Sequence, residues 1–222
     1  MNGLKFAQLG DVIKRGFDLL LANPVIFLPA AISVLVQGYL SSRLLGATLG
    51  PVVWPELILY LGLMILLSLL GAVILIKMSR DALAGKADLG VAMSLSASKL
   101  LPVAGAGLLY MAAIIVGGLL FVVPGLIIAV KLMFLFHLIV LEDYGVTEAF
   151  SVAWKMIDGR WWWVLALLVL GGLLTGLASI AIAFLPTGMQ VVAKLTYDLF
   201  YQSLGVTTLT CAFVLLREID AQ

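Results

Sequence analysis

Long apolar runs with few charges alternate with short charged stretches along this chain. The runs cover 25–45, 56–76, 101–123, 124–141, 161–185 and 191–216. A membrane-spanning helix needs about 20 apolar residues, and these runs supply that length or come close to it. The fourth is short for a full crossing and carries Lys131, while the sixth is the most polar. Pro29 and Gln37 lie inside the first run. Trp54 and Pro55 lead into the second, Pro124 separates the third from the fourth, and Pro186 with Gly188 ends the fifth. The pattern predicts an all-α integral membrane protein with six transmembrane helices arranged as three hairpins.

Three amphipathic segments precede the odd-numbered spans: 9–22, 87–100 and 146–158. In the first, Val12, Ile13, Gly16, Phe17 and Leu20 oppose Asp11, Lys14, Arg15 and Asp18. In the third, Ala149, Phe150, Ala153, Trp154 and Ile157 recur at helical spacing, opposite Glu148, Lys155 and Asp158. The second is weaker, being rich in Ser and Ala. Phe17, Leu95 and Trp154 each stand seven residues before the Pro or Trp that opens a span, at Pro24, Pro102 and Trp161. This order predicts one domain over 1–222 built as a pseudo-threefold repeat, with units at about 9–77, 87–141 and 146–217. Each unit is an interfacial helix followed by a hairpin of two spans.

Charge then orients the chain. Twenty of the 25 charged residues (13 basic, 12 acidic) fall in Lys5–Asp18, Lys77–Lys99, Glu142–Arg160 and Arg217–Asp220. Lys5, Lys14, Arg15, Lys77, Arg80, Lys86, Lys99, Lys155, Arg160 and Arg217 share the face of the termini, against Arg43 and Lys194 opposite. The positive-inside rule therefore predicts a cell (cytoplasmic) membrane protein with both termini cytoplasmic. Phe17, Trp154, Arg160, Trp161 and Trp162 are the expected interfacial anchors, with Trp163 at the same headgroup level.

Hydrophobic residues make up 64% of the chain and charged residues 11%, against about half and about a quarter in a soluble domain. The net charge of +1 argues against nucleic acid as a partner. The single Cys211 excludes an intrachain disulfide. Leu9–Ala22 is amphipathic and no small-residue cleavage site closes a short apolar run, so the N-terminus is expected to be retained.

Candidate chemistry is sparse. Lys131 and Asp198 each lie seven residues into a span running towards the cytoplasm. Similar depth predicts an ion pair between them, with Lys194, one turn from Asp198, as the competing partner. A structural ion pair or a snorkelling lysine is the preferred reading over a substrate contact. Tyr197, Asp198, Tyr201 and Gln202 share a face by i, i+4 spacing. Together with Lys131 and Lys194 they form the candidate intramembrane polar site. Interhelical hydrogen bonding is the preferred role for the polar residues of this span, ahead of cavity lining. Gly172–Gly176 and Thr175–Ser179 are small-xxx-small pairs that permit close helix packing. His137 has no Cys or carboxylate at ligand spacing, so no metal is expected. Glu142 and Asp143 read as a solvated span end. Walker, Rossmann, G-x-S-x-G and H-E-x-x-H patterns do not occur, so neither a catalytic set nor a cofactor is expected.

Residues 121–163 hold a more specific pattern. Phe-Val-Val-Pro-Gly at 121–125 opens a span with Lys131. Glu142 ends it. Ala149–Trp162 forms an amphipathic helix leading into an aromatic span start. These 43 residues resemble the membrane domain attached to some glycerophosphoryl diester phosphodiesterases and the related YciC-like uncharacterised integral membrane proteins. Gly16-Phe17 through Asn23-Pro24 also resembles the start of that superfamily. The resemblance implies a membrane fold and no catalytic residues, because the diesterase chemistry belongs to a separate soluble barrel.

The leading expectation is a non-catalytic polytopic protein that handles lipid or an amphipathic solute, as transporter, channel or lipid-binding scaffold. The alternative is a structural or partner-binding membrane subunit, and a lesser one is an intramembrane lipid-modifying enzyme. Membrane lipids are the expected partners; a homo-oligomer and a membrane-protein partner both stay open.

Overall fold

A computed structural model of the protein describes residues 7–49 and 54–221. Lys5 lies outside that range. The described residues form nine α-helices and one short 3-10 turn, with no strand among them. Helix α1 spans Ala7–Ala22 and buries Val12, Gly16 and Leu20, while Lys14, Arg15 and Asp18 stay exposed. It stops at Asn23, which is non-helical (φ −129°, ψ 71°) because Pro24 follows. The Asn23 side-chain amide donates to the Leu19 carbonyl at 3.2 Å, satisfying one of the end carbonyls.

After the 3-10 turn Pro24–Ile26, α2 runs over Phe27–Leu49 and α3 over Trp54–Leu83. Gly85, at φ 94°, makes the left-handed turn that brings the chain to Asp88. Asp88 caps α4 by accepting from Gly90 N at 2.8 Å and Val91 N at 3.2 Å. Helix α4 spans Leu89–Leu120. Phe121 is extended (φ −168°, ψ 156°), and α5 (Val122–Lys131) folds back along α4. Their backbones approach so closely that a Cβ on Gly125 would lie 3.1 Å from Gly118 N. Gly117 and Gly125 are therefore a packing requirement of this turn.

A turn at 132–134 separates α5 from α6 (Leu135–Leu141). Helix α7 covers Val146–Met156, Gly159 turns at φ 77°, α8 covers Trp161–Ala183, and α9 covers Thr187–Asp220. Among the described residues, six stretches are long and apolar enough to cross a membrane: Pro24–Arg43, Pro55–Leu83, Leu89–Leu119, Val123–Leu141, Trp161–Ala183 and Thr187–Asp220. Exposed large apolar side chains cover α3 (Ile58, Leu59, Ile65), α4 (Leu108, Ile115, Leu119) and α8 (Leu173, Leu177, Ile180). Water does not tolerate so much apolar surface on one small protein, whereas lipid does.

Packing is uneven. One core gathers α6, α7, the start of α8 and the end of α9 around Phe134, Leu138, Ala153, Trp163 and Phe213. A smaller one joins α1 and the adjacent ends of α2, α3 and α4 through Leu20, Ile26, Met78 and Ala92. Both lie towards the strongly charged face. Helix α9 is central, packing on α1, α2, α3 and α8.

The second expected interfacial helix, 87–100, is not a separate element. It forms the opening turns of α4, which continues through Pro102. At the other two junctions an Asn-Pro and a positive-φ Gly break the chain. At Leu101–Pro102 the proline costs one backbone hydrogen bond without halting the helix.

Candidate functional site

Helix α9 has two different halves. In the half nearer Arg217, Ser203, Thr207 and Thr210 are used internally. Ser203, Thr207 and Thr210 donate to carbonyls one turn back (Leu199, Ser203 and Val206) at 2.9, 2.8 and 2.9 Å. Thr207 also meets Ser79 of α3 at 3.1 Å, and Thr210 meets His137 Nε2 of α6 at 3.3 Å. His137 stacks on Phe213 with ring centroids 5.5 Å apart. Gly16 of α1 presses on Thr208, where a Cβ would stand 2.6 Å from Oγ1. Polar residues in this half therefore join helices, the role expected for them in a membrane.

The half from Val191 to Gln202 instead faces open space. A cleft of about 530 Å³ lies between α9 and α2. From α2 it is lined by Val34, Gln37, Gly38 and Ser41, and from α9 by Val191, Lys194, Leu195, Asp198, Tyr201 and Gln202. Lys194 Nζ and Asp198 Oδ2 are 2.7 Å apart, with side chains 67% and 36% exposed. Nine residues separate Asp198 from Thr207 and eleven separate it from Thr187, about 13 and 16 Å along a helix. Thr207 meets Ser79 near the charged end of α3, and Thr187 starts α9 at the other end. Asp198 thus lies inside the span, about 16 Å from its Thr187 end.

Tyr201 also lines a second, apolar cavity of about 190 Å³. Its walls are Ile13 of α1, Met133, Leu167, Leu168, Leu170, Gly171 and Leu174 of α8, and Leu204, Gly205, Thr208 and Leu209 of α9. Tyr201 thus contributes to the walls of both openings. Gly171 makes room for that ring, since a Cβ there would come within 3.2 Å of the Tyr201 hydroxyl. Tyr197 stacks on Tyr201 at 5.5 Å and 21°, and among the described residues its buried hydroxyl has no hydrogen-bond partner.

Of the sequence-predicted site, Lys194, Asp198, Tyr201 and Gln202 converge on the cleft, and Tyr197 braces Tyr201 from behind. Lys131 does not join them. It ion-pairs with Asp158, donates to the Trp154 carbonyl at 3.2 Å and lies over the Trp154 ring at 5.4 Å. The expected Lys131–Asp198 pair is corrected accordingly: Lys131 belongs to α7, and Asp198 belongs to Lys194. The turn at 132–134 is the cause, because it ends α5 at Lys131 and delivers the side chain to the end of α7. Counting residues along a straight span missed that bend. Sequence reasoning also missed Ser41 and left Gln37 outside the site. Their i, i+4 spacing on an apolar helix was the available signal.

The charged face is tied together by further pairs. Arg217 forks onto Glu142, with Nε to Oε1 at 2.8 Å, and Arg160 meets Asp220 at 2.6 Å. Lys99 pairs with Asp143, and Lys77 with Asp81 at 2.7 Å. Glu142 is thus an ion-pair partner rather than a solvated span end. Among the expected anchors, Trp162 is 70% exposed and Trp154 is half exposed, while Trp161 packs edge-on against Trp162 at 4.8 Å. Phe17 meets Phe200 of α9 at 6.1 Å.

Fold and cleft together are those of a multi-pass α-helical membrane protein. Within that class the chain belongs to a family defined by a domain of unknown function, DUF7847, which matches residues 55–216. The match takes in α3 to most of α9, and so the α9 wall of the cleft but not the α2 wall. No curated protein and no solved structure matches the chain.

Proposed function

We propose that this protein handles a phospholipid or another amphipathic solute without catalysing a reaction on it, holding or passing it along α9. One observation carries the reading: Tyr201 lines both a cleft that holds charged and amide side chains and an apolar cavity. A ligand with a polar head and an apolar tail would meet matching surroundings in the two openings that share that ring. The side-chain set suits binding rather than bond breaking, since Lys194 and Asp198 neutralise each other. The resemblance to the diesterase-linked membrane domain offers no catalytic residues, which agrees.

In this reading the six spans form three hairpins in a cell membrane, with both termini cytoplasmic. The excess of Lys and Arg at the charged face supports that orientation. Helices α1 and α7, both amphipathic, support a repeated unit for the first and third hairpins.

The test combines two measurements on purified protein. Native mass spectrometry with lipid identification should find a retained lipid. Single cysteines at Gln37, Ser41 and Gln202, in a Cys211→Ser background, should react with a membrane-impermeant reagent, unlike one at Ile180. Uniform protection together with lipid-free protein would overturn the proposal.

A second reading is a partner-binding subunit. It is favoured by α8, where a Cβ on Gly172 or Gly176 would meet no atom within 4 Å and Leu173, Leu177 and Ile180 are exposed. A stoichiometric protein partner in the same spectra would support it.

A further inference from the structure

We propose that the cleft between α2 and α9 takes the headgroup of a zwitterionic phospholipid carrying a primary ammonium, that is, phosphoethanolamine chemistry. This rests on the lipid-handling reading and narrows it. Charge arithmetic leads to it. Lys194 and Asp198 line the cleft as one neutral pair, 2.7 Å apart. An anionic headgroup would engage Lys194 and leave Asp198 facing a like charge. A cation would do the reverse. An unmatched charge within a span is costly, so the site favours a ligand that answers both signs.

A phosphate joined to an ammonium by two carbons does so. Its phosphate oxygens accept from the Lys194 ammonium, and its ammonium donates to the Asp198 carboxylate. The ammonium has three N–H donors, and the cleft offers further acceptors in the side-chain oxygens of Gln37, Gln202 and Ser41. A quaternary ammonium donates to none of them, so those groups would lose their water without a partner. Beyond Tyr201 the apolar cavity accepts an acyl chain, and Gly205 leaves room for it, with nothing within 4 Å of its Cβ position.

The experiment is native mass spectrometry of the full chain offered equimolar phosphatidylethanolamine, phosphatidylcholine and phosphatidylglycerol of identical acyl composition. Phosphatidylethanolamine should be retained over each of the others by roughly tenfold, the scale of one charge-assisted hydrogen bond. Lys194→Gln and Asp198→Asn should each lower its retention by a similar factor. Both side chains are partly exposed, so these variants should keep wild-type helicity and monodispersity. Gln37→Leu is the second variant should either aggregate, with the same direction of loss. Gly205→Leu should fold and expel the lipid by filling the apolar cavity. Equal or tighter retention of phosphatidylglycerol or phosphatidylcholine overturns the headgroup assignment and leaves the lipid-handling reading standing. Folded protein that retains no lipid overturns both. Soluble phosphoethanolamine that competes at the concentration of whole lipid overturns a lipid as the occupant.

Discussion

Two glycines on α1 should respond to the same substitution with opposite signs. Gly10 and Gly16 sit in one helix, but among the described residues a Cβ on Gly10 meets nothing within 4 Å. A Cβ on Gly16 would lie 2.6 Å from Thr208 Oγ1, 3.0 Å from Thr208 Cα and 3.2 Å from its N. Turning the threonine side chain removes only the first of these contacts, because the other two are backbone. In each case Gly→Ala gains up to about 1 kcal/mol of helix propensity. At Gly16 that gain is opposed by overpacking, about 1–3 kcal/mol, with the backbone contacts placing it towards the upper end. Gly10→Ala should therefore stabilise by up to about 1 kcal/mol, and Gly16→Ala should destabilise by about 1–2 kcal/mol. Thermal unfolding in detergent, followed by circular dichroism, should separate the two variants by roughly 2–12 °C, at about 2–4 °C per kcal/mol for a chain of this size. Adding Thr208→Ala to Gly16→Ala should recover at least about 0.5 kcal/mol, because the two residues touch. A Gly16→Ala protein as stable as Gly10→Ala would refute the packing of α1 on α9.

The Lys131–Asp158 pair should be asymmetric to mutation. Lys131 is 12% exposed and Asp158 is 65% exposed. Asp158→Asn leaves a sheltered ammonium short of its counter-charge and should cost about 1–3 kcal/mol, whereas Lys131→Met leaves a hydrated carboxylate and should cost about 1 kcal/mol or less. Denaturant titration in mixed micelles orders the two, and the reverse order refutes the assignment. Arg217→Gln should lower stability by about 1–2 kcal/mol, as expected for losing a forked, half-buried contact with Glu142. An unchanged melting temperature would show that contact to be idle. Ser79→Ala should cost under about 1 kcal/mol, the usual worth of an interhelical hydrogen bond in a membrane protein. A larger loss would mean that Ser79 does more than bond Thr207.

Run length was enough to read the crossing helices from the sequence, because the demand for about 20 apolar residues is nearly independent of tertiary detail. The amphipathic faces of α1 and α7 were legible for a similar reason: Val12, Leu20, Ala149 and Ala153 repeat at the helical period and are buried. Breaks were harder. Pro102 resembles Pro24 in sequence, yet only Pro24 follows an Asn whose side chain and backbone both close the preceding turn. The turn at 132–134 has no Pro or Gly to announce it, and tertiary contacts around Phe134 and Lys131 decide it. That invisible bend carried the Lys131–Asp198 error. On α9 the sequence showed polarity but not its division. Thr207 and Tyr201 look equally polar in the chain, and only the path of α3, α1 and α2 beside them makes one a joint and the other a wall.

That division has a physical consequence for how the protein could work. The half of α9 that holds the bundle together is packed against α1, α3 and α6, with Thr207, Thr208 and Thr210 buried. The half that lines the cleft contributes little to either core, since Lys194, Asp198 and Gln202 are partly exposed and absent from both. In the proposed reading, stability and ligand contact therefore reside in different turns of one helix. Substitutions around Asp198 can be read as effects on binding, because the packing that maintains the fold lies about two to three turns further along α9. At the dense end the Arg217–Glu142 and Arg160–Asp220 pairs anchor the helix. In the proposed reading, the affinity of a ligand at Tyr201 would be set by how much apolar and polar surface it fills there, not by refolding the bundle.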